Sequence, residues 1–500
     1  MRILLVYPAY PDTFWSFRHA LKLINKKATH PPLGLLTVAS LLPSNWETKL
    51  IDLNVETLNE DHIRWADRVF VSAMSVQRTS AEEVINLARR FGKKVVVGGP
   101  LFTAFAEDFR GKVDTLFLGE AENTIPKFVE DLSKGTEKEL YVEDFYPDLT
   151  LSPPPAYHLI DFSKYTSMCI QFSRGCPFNC EFCEVTKLFG HKVRTKKTEQ
   201  ILRELENLYT LGWRGSVFFV DDNFIGAKRK VKEELLPAII DWQRAHRYPF
   251  YFYTQVSINL ADDEELINLM VDAGFNSVFI GIETPSEESL KEANKKQNTN
   301  RALVESIRKI QKKGLEVMGG FILGFDSDPP DIFQKLIDFI NQSRIVIAMV
   351  GLLNAPPGTK LYKRLAEEKR IRPFFSGNNT DLETNIVPKM GLATLVEGYK
   401  EVIRTLYSEK NYYKRIEAFI EDFTTRTPLR IDREYLRYNF GYLKGVIKIF
   451  LKFGILGNSK KEFWSLIYKT LTRKPQNFSI VLAQIASGYH FRRIFKEAFV

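Results

Sequence analysis

Cysteine is scarce in this chain, with four in 500 residues. That is too few for a disulfide scaffold and suits a reducing, cytoplasmic compartment. Long apolar runs are also missing. None reaches the roughly 18–20 residues of a membrane span, and the longest candidate, Ile345 to Ala355, reads as a buried strand. The opening Met1-Arg2-Ile3-Leu4-Leu5-Val6-Tyr7-Pro8 is broken by proline too early for a signal peptide. No Gly-x-Gly-x-x-Gly follows that first apolar run, which argues against a dinucleotide fingerprint. The length suggests two to four domains of about 150 residues each. Net charge is +9 and the pI is near 9.0, so the location of the excess decides among nucleic acid, an acidic ligand and an anionic membrane as partners.

Three of the four cysteines fall within ten residues, Arg174-Gly175-Cys176-Pro177-Phe178-Asn179-Cys180-Glu181-Phe182-Cys183. Three thiolates this close can hold three corners of a cubic iron–sulfur cluster, because soft sulfur suits such clusters and zinc. The fourth iron then stays open to a small molecule. The competing reading is a zinc knuckle, which wants a further Cys or His nearby; His191 is the candidate. Cys169 lies on a predicted strand and reads as a buried structural thiol. The Cys-x3-Cys-x2-Cys spacing with Phe182 before the last cysteine resembles the signature of the radical S-adenosylmethionine (SAM) superfamily. The resemblance implies a [4Fe–4S] cluster on Cys176, Cys180 and Cys183. It further implies SAM chelated at the open iron and cleaved to a 5′-deoxyadenosyl radical, with an external electron donor such as flavodoxin or ferredoxin.

Upstream, five short apolar runs alternate with helix patterns. They start at Ile3, Thr48, Arg68, Lys94 and Thr115. This alternation predicts an α/β, parallel, doubly wound sheet, which binds ligands beyond the carboxyl ends of its strands. Ser72, Gly98-Gly99-Pro100 and Gly119-Glu120 all lie on that edge. Three stretches, His30-Pro31-Pro32-Leu33-Gly34-Leu35-Leu36, Val97-Gly98-Gly99-Pro100 and Leu118-Gly119-Glu120-Ala121-Glu122, resemble the Rossmann-like cobalamin-binding domain that precedes many radical SAM barrels. The resemblance implies cobalamin contacts at Tyr10, Phe14, Trp15, Pro32, Leu33, Gly34, Ser72, Gly98, Gly99, Gly119 and Glu120. The loop after the first strand, Pro11-Asp12-Thr13-Phe14-Trp15-Ser16-Phe17, lacks the His that classical cobalamin carriers place there. A lower face without His is therefore expected, with the aromatic loop as its cover. A platform that binds nothing is the alternative.

Ser152-Pro153-Pro154-Pro155 favours extended backbone and marks a linker. Six strand–helix repeats follow, with polar or glycine residues at the strand ends, and predict a parallel, barrel-like sheet with function at its carboxyl face; this matches the partial (β/α)6 barrel that the radical SAM resemblance implies. Asp221 and Asp222 end one strand and Glu283 another. Such carboxylates can accept charge-assisted bonds from an ammonium or from ribose hydroxyls; for Glu283 the alternative is a salt bridge to Arg174, Arg194 or another base. The SAM resemblance adds Phe182 beside the adenine and Pro357 in a closing loop, a plain turn being the alternative for Pro357. Val278-Phe279-Ile280-Gly281-Ile282-Glu283-Thr284-Pro285 and Gly319-Gly320-Phe321-Ile322-Leu323-Gly324-Phe325-Asp326 resemble the subgroup containing the hopanoid C-2 methylase and archaeal tetraether-lipid ring synthases.

The domain expectation is therefore 1–145 cobalamin-binding, 146–164 linker, 165–380 radical SAM barrel and 381–500 a mainly α, basic and aromatic C-terminal domain. Gly441 to Val500 carries eleven Lys or Arg against two acids, a surplus as large as that of the whole chain. Lys444, Lys448 and Lys452 recur every four residues. A basic amphipathic helix can lie on an anionic membrane; the alternative is a helix docked on the barrel with a solvated basic face. No folded nucleic-acid module is present, so nucleic acid is disfavoured. The resemblance implies cobalamin-dependent, radical C-methylation of an unactivated carbon of a small molecule or lipid such as a hopanoid. It implies a cytoplasmic enzyme, with peripheral contact at the inner membrane face. The alternatives are a radical lipid cyclase and a non-enzymatic cobalamin or cluster sensor.

Overall fold

The computed structural model describes residues 1–373, 375–426 and 433–499. The first sheet contains β1 (Arg2–Tyr7), β2 (Glu47–Asp52), β3 (Arg68–Ser72), β4 (Lys94–Gly98), β5 (Thr115–Phe117) and β6 (Leu140–Tyr141). Its strands run parallel in the order β2-β1-β3-β4-β5-β6. Ile3 to Val6 and Val95 to Val97 are buried without alternation, as expected where helices cover both faces. Helix Arg78–Arg90 supplies one cover through Ala81, Val84, Ile85 and Ala88. The strand order reverses between β1 and β3, and the crevice at such a reversal is where open α/β sheets take their ligands. The two-residue β6 is too short to show a pattern in sequence.

The chain crosses to the second sheet through a packed connection. Tyr165 bridges Ala28, its hydroxyl donates to Asp52 at 3.0 Å, and Gln200 donates to the Leu149 and Ser152 carbonyls. The second sheet begins with β7 (Ser167–Ile170), followed by a small antiparallel ribbon of β8 (Ser173–Arg174) and β9 (Arg194–Thr195). Then come β10 (Gly215–Phe219), β11 (Phe250–Gln255), β12 (Phe275–Glu283), β13 (Glu316–Leu323) and β14 (Ala348–Leu352). The order β14-β13-β12-β11-β10-β7 is sequential and parallel. It leaves the barrel open between its two end strands. Period-two alternation sends Phe219, Phe252 and Phe275 into a buried aromatic cluster. Phe218, Tyr253, Phe279, Met318 and Met349 occupy the other face and are only partly buried.

Among the described residues, the C-terminal part forms the α-helices Leu392–Tyr407, Glu409–Asp422, Arg433–Ile449, Lys460–Arg473 and Phe478–Ala498. The last one reaches back to the start of the molecule. Phe491 stacks on Phe14 with ring centres 4.0 Å apart, and the His490 ring meets the carbonyls of Thr13 and Phe14.

Candidate active site

The three-cysteine loop leaves the carboxyl end of β7 and is tied down by an acid one strand away. Asp221, fully buried, accepts from the Phe172 amide at 3.0 Å and from the Ser173 amide and hydroxyl at 2.5 Å each. Burial still raises its carboxyl to about 7. This corrects the expectation that Asp221 meets SAM: its oxygens are enclosed and it positions the loop instead. Asp222 differs. It accepts from the Gly175 amide, burial raises it to about 6, and its Oδ2 is buried with no partner. An orphaned carboxylate oxygen beside the cysteine loop is a place for a cationic or hydroxyl donor.

Cys176, Cys180 and Cys183 are free and partly exposed, whereas Cys169 is buried in β7. A structural zinc site wants four Cys or His ligands. Three thiolates on one loop suit a polynuclear cluster with one open iron, and His191 is exposed, so the donor set fits iron–sulfur better than zinc. Burial pushes the Cys183 thiol up to about 12 and raises Cys176, while Lys295 acts against both shifts. Lys295 is the residue that sequence reasoning missed. It pairs with Glu283 at 2.6 Å and lies 6.0 Å over the Phe182 ring. Burial would lower its pKa, but Glu283 and Cys180 outweigh that and hold it above its usual range. Gln297 adds a donor 3.7 Å from Cys180 Sγ.

Glu283 sits at the end of β12 with φ +69°, where the register with β13 shifts. A left-handed non-glycine residue costs about 1–3 kcal/mol and survives where its surroundings enforce it. Asn298 enforces it here by donating to the Gly281 and Ile282 carbonyls. The Pro357 carbonyl accepts from Lys187 at 2.9 Å, and Thr359 caps helix Lys360–Glu367. The loop is thus an anchored turn. Glu181, inside the cysteine motif, ties that helix down through Arg364 at 2.7 Å.

The first sheet brings Tyr10, Ser72, Gly98, Gly99 and Gly119 to its carboxyl edge, with Pro32, Leu33 and Gly34 opening helix Leu33–Leu41. A Cβ on Gly99 would strike Ser72 Oγ, whereas Gly34 and Gly119 face open space. Bare backbone at this edge fits a large planar ligand such as a corrin. Two residues are corrected. Glu120 is buried between Arg174 and Arg194, each at 2.5 Å, so its carboxylate serves an ion-pair network rather than cobalamin. Glu122 joins it at 2.7 Å from Arg174, and the β8–β9 ribbon holds the two arginines side by side. Phe14 is 1% exposed beneath the final helix, so it cannot cover a ligand face. Trp15 instead reaches the second sheet, with Nε1 3.0 Å from Met349 Sδ and its ring 5.4 Å edge-on from Phe279. His30 was unassigned from sequence. It hydrogen-bonds the Tyr253 hydroxyl, and burial lowers its pKa to about 4, leaving it neutral.

A Rossmann-like sheet whose edge faces a partial barrel bearing a three-cysteine loop defines the two-cofactor type of radical SAM enzyme. Comparison with known proteins agrees. Residues 22–129 match the B12 binding domain, 170–340 the radical SAM superfamily and 359–499 a domain of unknown function, DUF4070. The chain is 41% identical to the uncharacterized methyltransferase sll1242 of Synechocystis sp., over 98% of this chain and 91% of that protein. It is 35% identical to the hopanoid C-2 methylase of Rhodopseudomonas palustris, over 94% and 90%. The cobalamin-dependent SAM radical enzyme OxsB, solved with aqua-cobalamin bound, shares the fold with a TM-score of 0.59 at 16% identity, over 100% and 84%. The chain belongs to the cobalamin-binding radical SAM methyltransferases, in the subgroup of the hopanoid C-2 methylase. Its cofactors are a [4Fe–4S] cluster, SAM and cobalamin.

Proposed function

We propose that the protein methylates an unactivated carbon of a lipid, with a hopanoid as the leading candidate, and that Cys176, Cys180 and Cys183 ligate its cluster. The observation carrying the lipid reading is the row Phe218, Tyr253, Phe279, Met318 and Met349 on the concave side of the barrel, joined by Trp15. Aromatic and thioether side chains bury an apolar skeleton and adapt to its shape. This row offers a polar substrate no ionised group. The name of the Rhodopseudomonas palustris relative supports the same substrate class.

When bound, the cofactors supply hydrogen-atom abstraction and methyl transfer. The chain binds, orients and excludes water. Asp222 and Glu283 present carboxylates to the ammonium and hydroxyl groups of SAM, Phe182 flanks it, and Pro357 belongs to the turn beside it. Lys295 holds Glu283 and offsets the thiolate charge. Tyr10, Ser72, Gly34, Gly98, Gly99 and Gly119 form the cobalamin edge. Trp15 and His30 close the gap between the sheets. An external reductant of the flavodoxin or ferredoxin type delivers the electron, and a lipid substrate entails peripheral contact of the C-terminal helices with a bilayer.

Lipid extracts from a gene deletion and its parent strain, compared by mass spectrometry under several growth conditions, test the reading. The deletion should lose a species one methylene heavier than one it retains. Unchanged lipids would overturn the lipid reading, and a missing species lighter by two hydrogens per ring would make the enzyme a cyclase. Cys180→Ala should lose iron and 5′-deoxyadenosine formation, and full activity in that variant would sink the cluster assignment.

A further inference from the structure

Eight of the seventeen exposed large hydrophobic side chains among the described residues fall between Leu443 and Leu471. Leu443, Ile447, Leu451 and Ile455 recur every four residues along helix Arg433–Ile449 and its π-helical extension Phe450–Ile455. A four-residue step overshoots an α-helical turn of about 3.6 residues. The wider π turn takes part of that overshoot back, so the row stays aligned. Leu456, 78% exposed, follows at its end, and Trp464, Tyr468 and Leu471 continue the surface on helix Lys460–Arg473. Lys444, Lys448, Lys460, Lys461 and Arg473 are exposed among them, and Glu462 is the single acid from Gly441 to Lys474.

Poor packing does not explain the row. The first helix is docked by its other side: a Cβ on Gly441 or Gly445 would run into Ile24, and Ile449 and Phe453 are buried. A helix docked on one face normally turns polar residues to water. A contiguous apolar surface rimmed by charge marks an interaction site.

We propose that this surface docks the enzyme on a bilayer containing anionic lipids. Charge selects the occupant. Leucine, isoleucine and tryptophan suit the boundary between headgroups and acyl chains, and the flanking lysines suit anionic headgroups. A second copy would bring the same cations together. No helix among the described residues is long and apolar enough to cross a membrane; the row lies along helix flanks, so contact through it is lateral. Ile24, on which the first helix rests, belongs to the segment that leaves β1 and carries Trp15 toward the barrel. One loop thus joins the docking face to the apolar row. The proposal takes its purpose from the lipid-substrate reading, but not its geometry.

The test is flotation of the full-length holoenzyme with phosphatidylcholine vesicles, with and without phosphatidylglycerol, at low and high salt. Flotation should require phosphatidylglycerol and weaken with salt. Partitioning should fall by about tenfold or more in Leu451→Asp/Ile455→Asp and in Lys444→Gln/Lys448→Gln/Lys460→Gln/Lys461→Gln. Substrate-free SAM cleavage should stay at the wild-type rate in both, which reports an intact fold. The proposal is overturned if the wild type does not float, if both variants float equally well, or if the same substitutions abolish a concentration-dependent dimer. Flotation combined with unchanged lipids in the deletion strain would retire the lipid substrate and keep the docking face; methylated lipid without flotation would do the reverse.

Discussion

Arg174→Met removes the centre of the ion-pair network that joins the two sheets. The guanidinium touches Glu120 at 2.5 Å and Glu122 at 2.7 Å, and both carboxylates are buried. Glu120 would keep Arg194 at 2.5 Å. Glu122 would keep the Ser152 hydroxyl at 3.1 Å and its own backbone amide. Breaking a buried pair from one side costs about 3–5 kcal/mol, because the remaining charge is uncompensated. The sign with pH follows from Glu122. Burial alone would raise its carboxyl, yet Arg174, with the residue's own amide and the Ser152 hydroxyl, holds it below the usual range. In the wild type this contribution is therefore present above the unfolded-state pKa and lost as pH falls through the folded one. In Arg174→Met burial is opposed only by the Ser152 hydroxyl and the residue's own amide, and the folded pKa rises. The loss should then be largest near pH 8 and shrink toward pH 5, where Glu122 takes up a proton. Urea midpoints across that range measure it, and adding Glu122→Gln should restore part of the stability at pH 8. A loss under about 1 kcal/mol at pH 8, a difference that ignores pH, or a failed rescue would refute the reasoning.

Glu316 lies buried against Gln484 of the final helix at 2.9 Å, and burial raises its pKa to about 7. A raised folded pKa gives a contribution fully present below the unfolded value and lost as pH rises through 7. This group should cost the wild type about 3 kcal/mol between pH 4.5 and 8. Glu316→Gln keeps the acceptor and should flatten that slope in urea titrations; parallel slopes would contradict it. Lys295→Met removes the cation beside the thiolates and should make the cluster harder to reduce, on the order of tens of millivolts. Redox titration followed by electron paramagnetic resonance reads this, and an unchanged potential would exclude an electrostatic role. At Gly320 a Cβ would meet the Phe279 ring. Gly320→Val should lose methylated product while still forming 5′-deoxyadenosine, and normal product formation would take the aromatic row out of the substrate path.

The repeating elements were legible because their causes are local. Val95, Val96 and Val97 form a strand wherever helices cover both faces, and the glycines after it can mark only a carboxyl end. The site was legible as a set of strand ends, not as a set of orientations. Asp221 and Asp222 are neighbours with identical chemistry. One turns inward to three donors and the other keeps an open oxygen, a difference set by loop geometry that no spacing encodes. Glu120 looked like an edge residue because its partners, Arg174 and Arg194, are 54 and 74 positions away. Lys295 carries no periodic signal, since it follows a short helix and finds Glu283 only through the fold. Phe14 was misread for the same reason: its cover, Phe491, comes from the far end of the chain.

That cover has a consequence for how the protein is made. The carbonyls of Thr13 and Phe14 meet His490, 477 and 476 positions later. Translation at about 5–20 residues per second leaves the loop beyond β1 without its lid for roughly 25–95 s after it emerges. The B12-type sheet can pair its strands on the ribosome, but its ligand-facing loop is finished only once helix Phe478–Ala498 has followed it out. A chain lacking helix Phe478–Ala498 would present Phe14 and Phe17 to solvent in place of a closed edge.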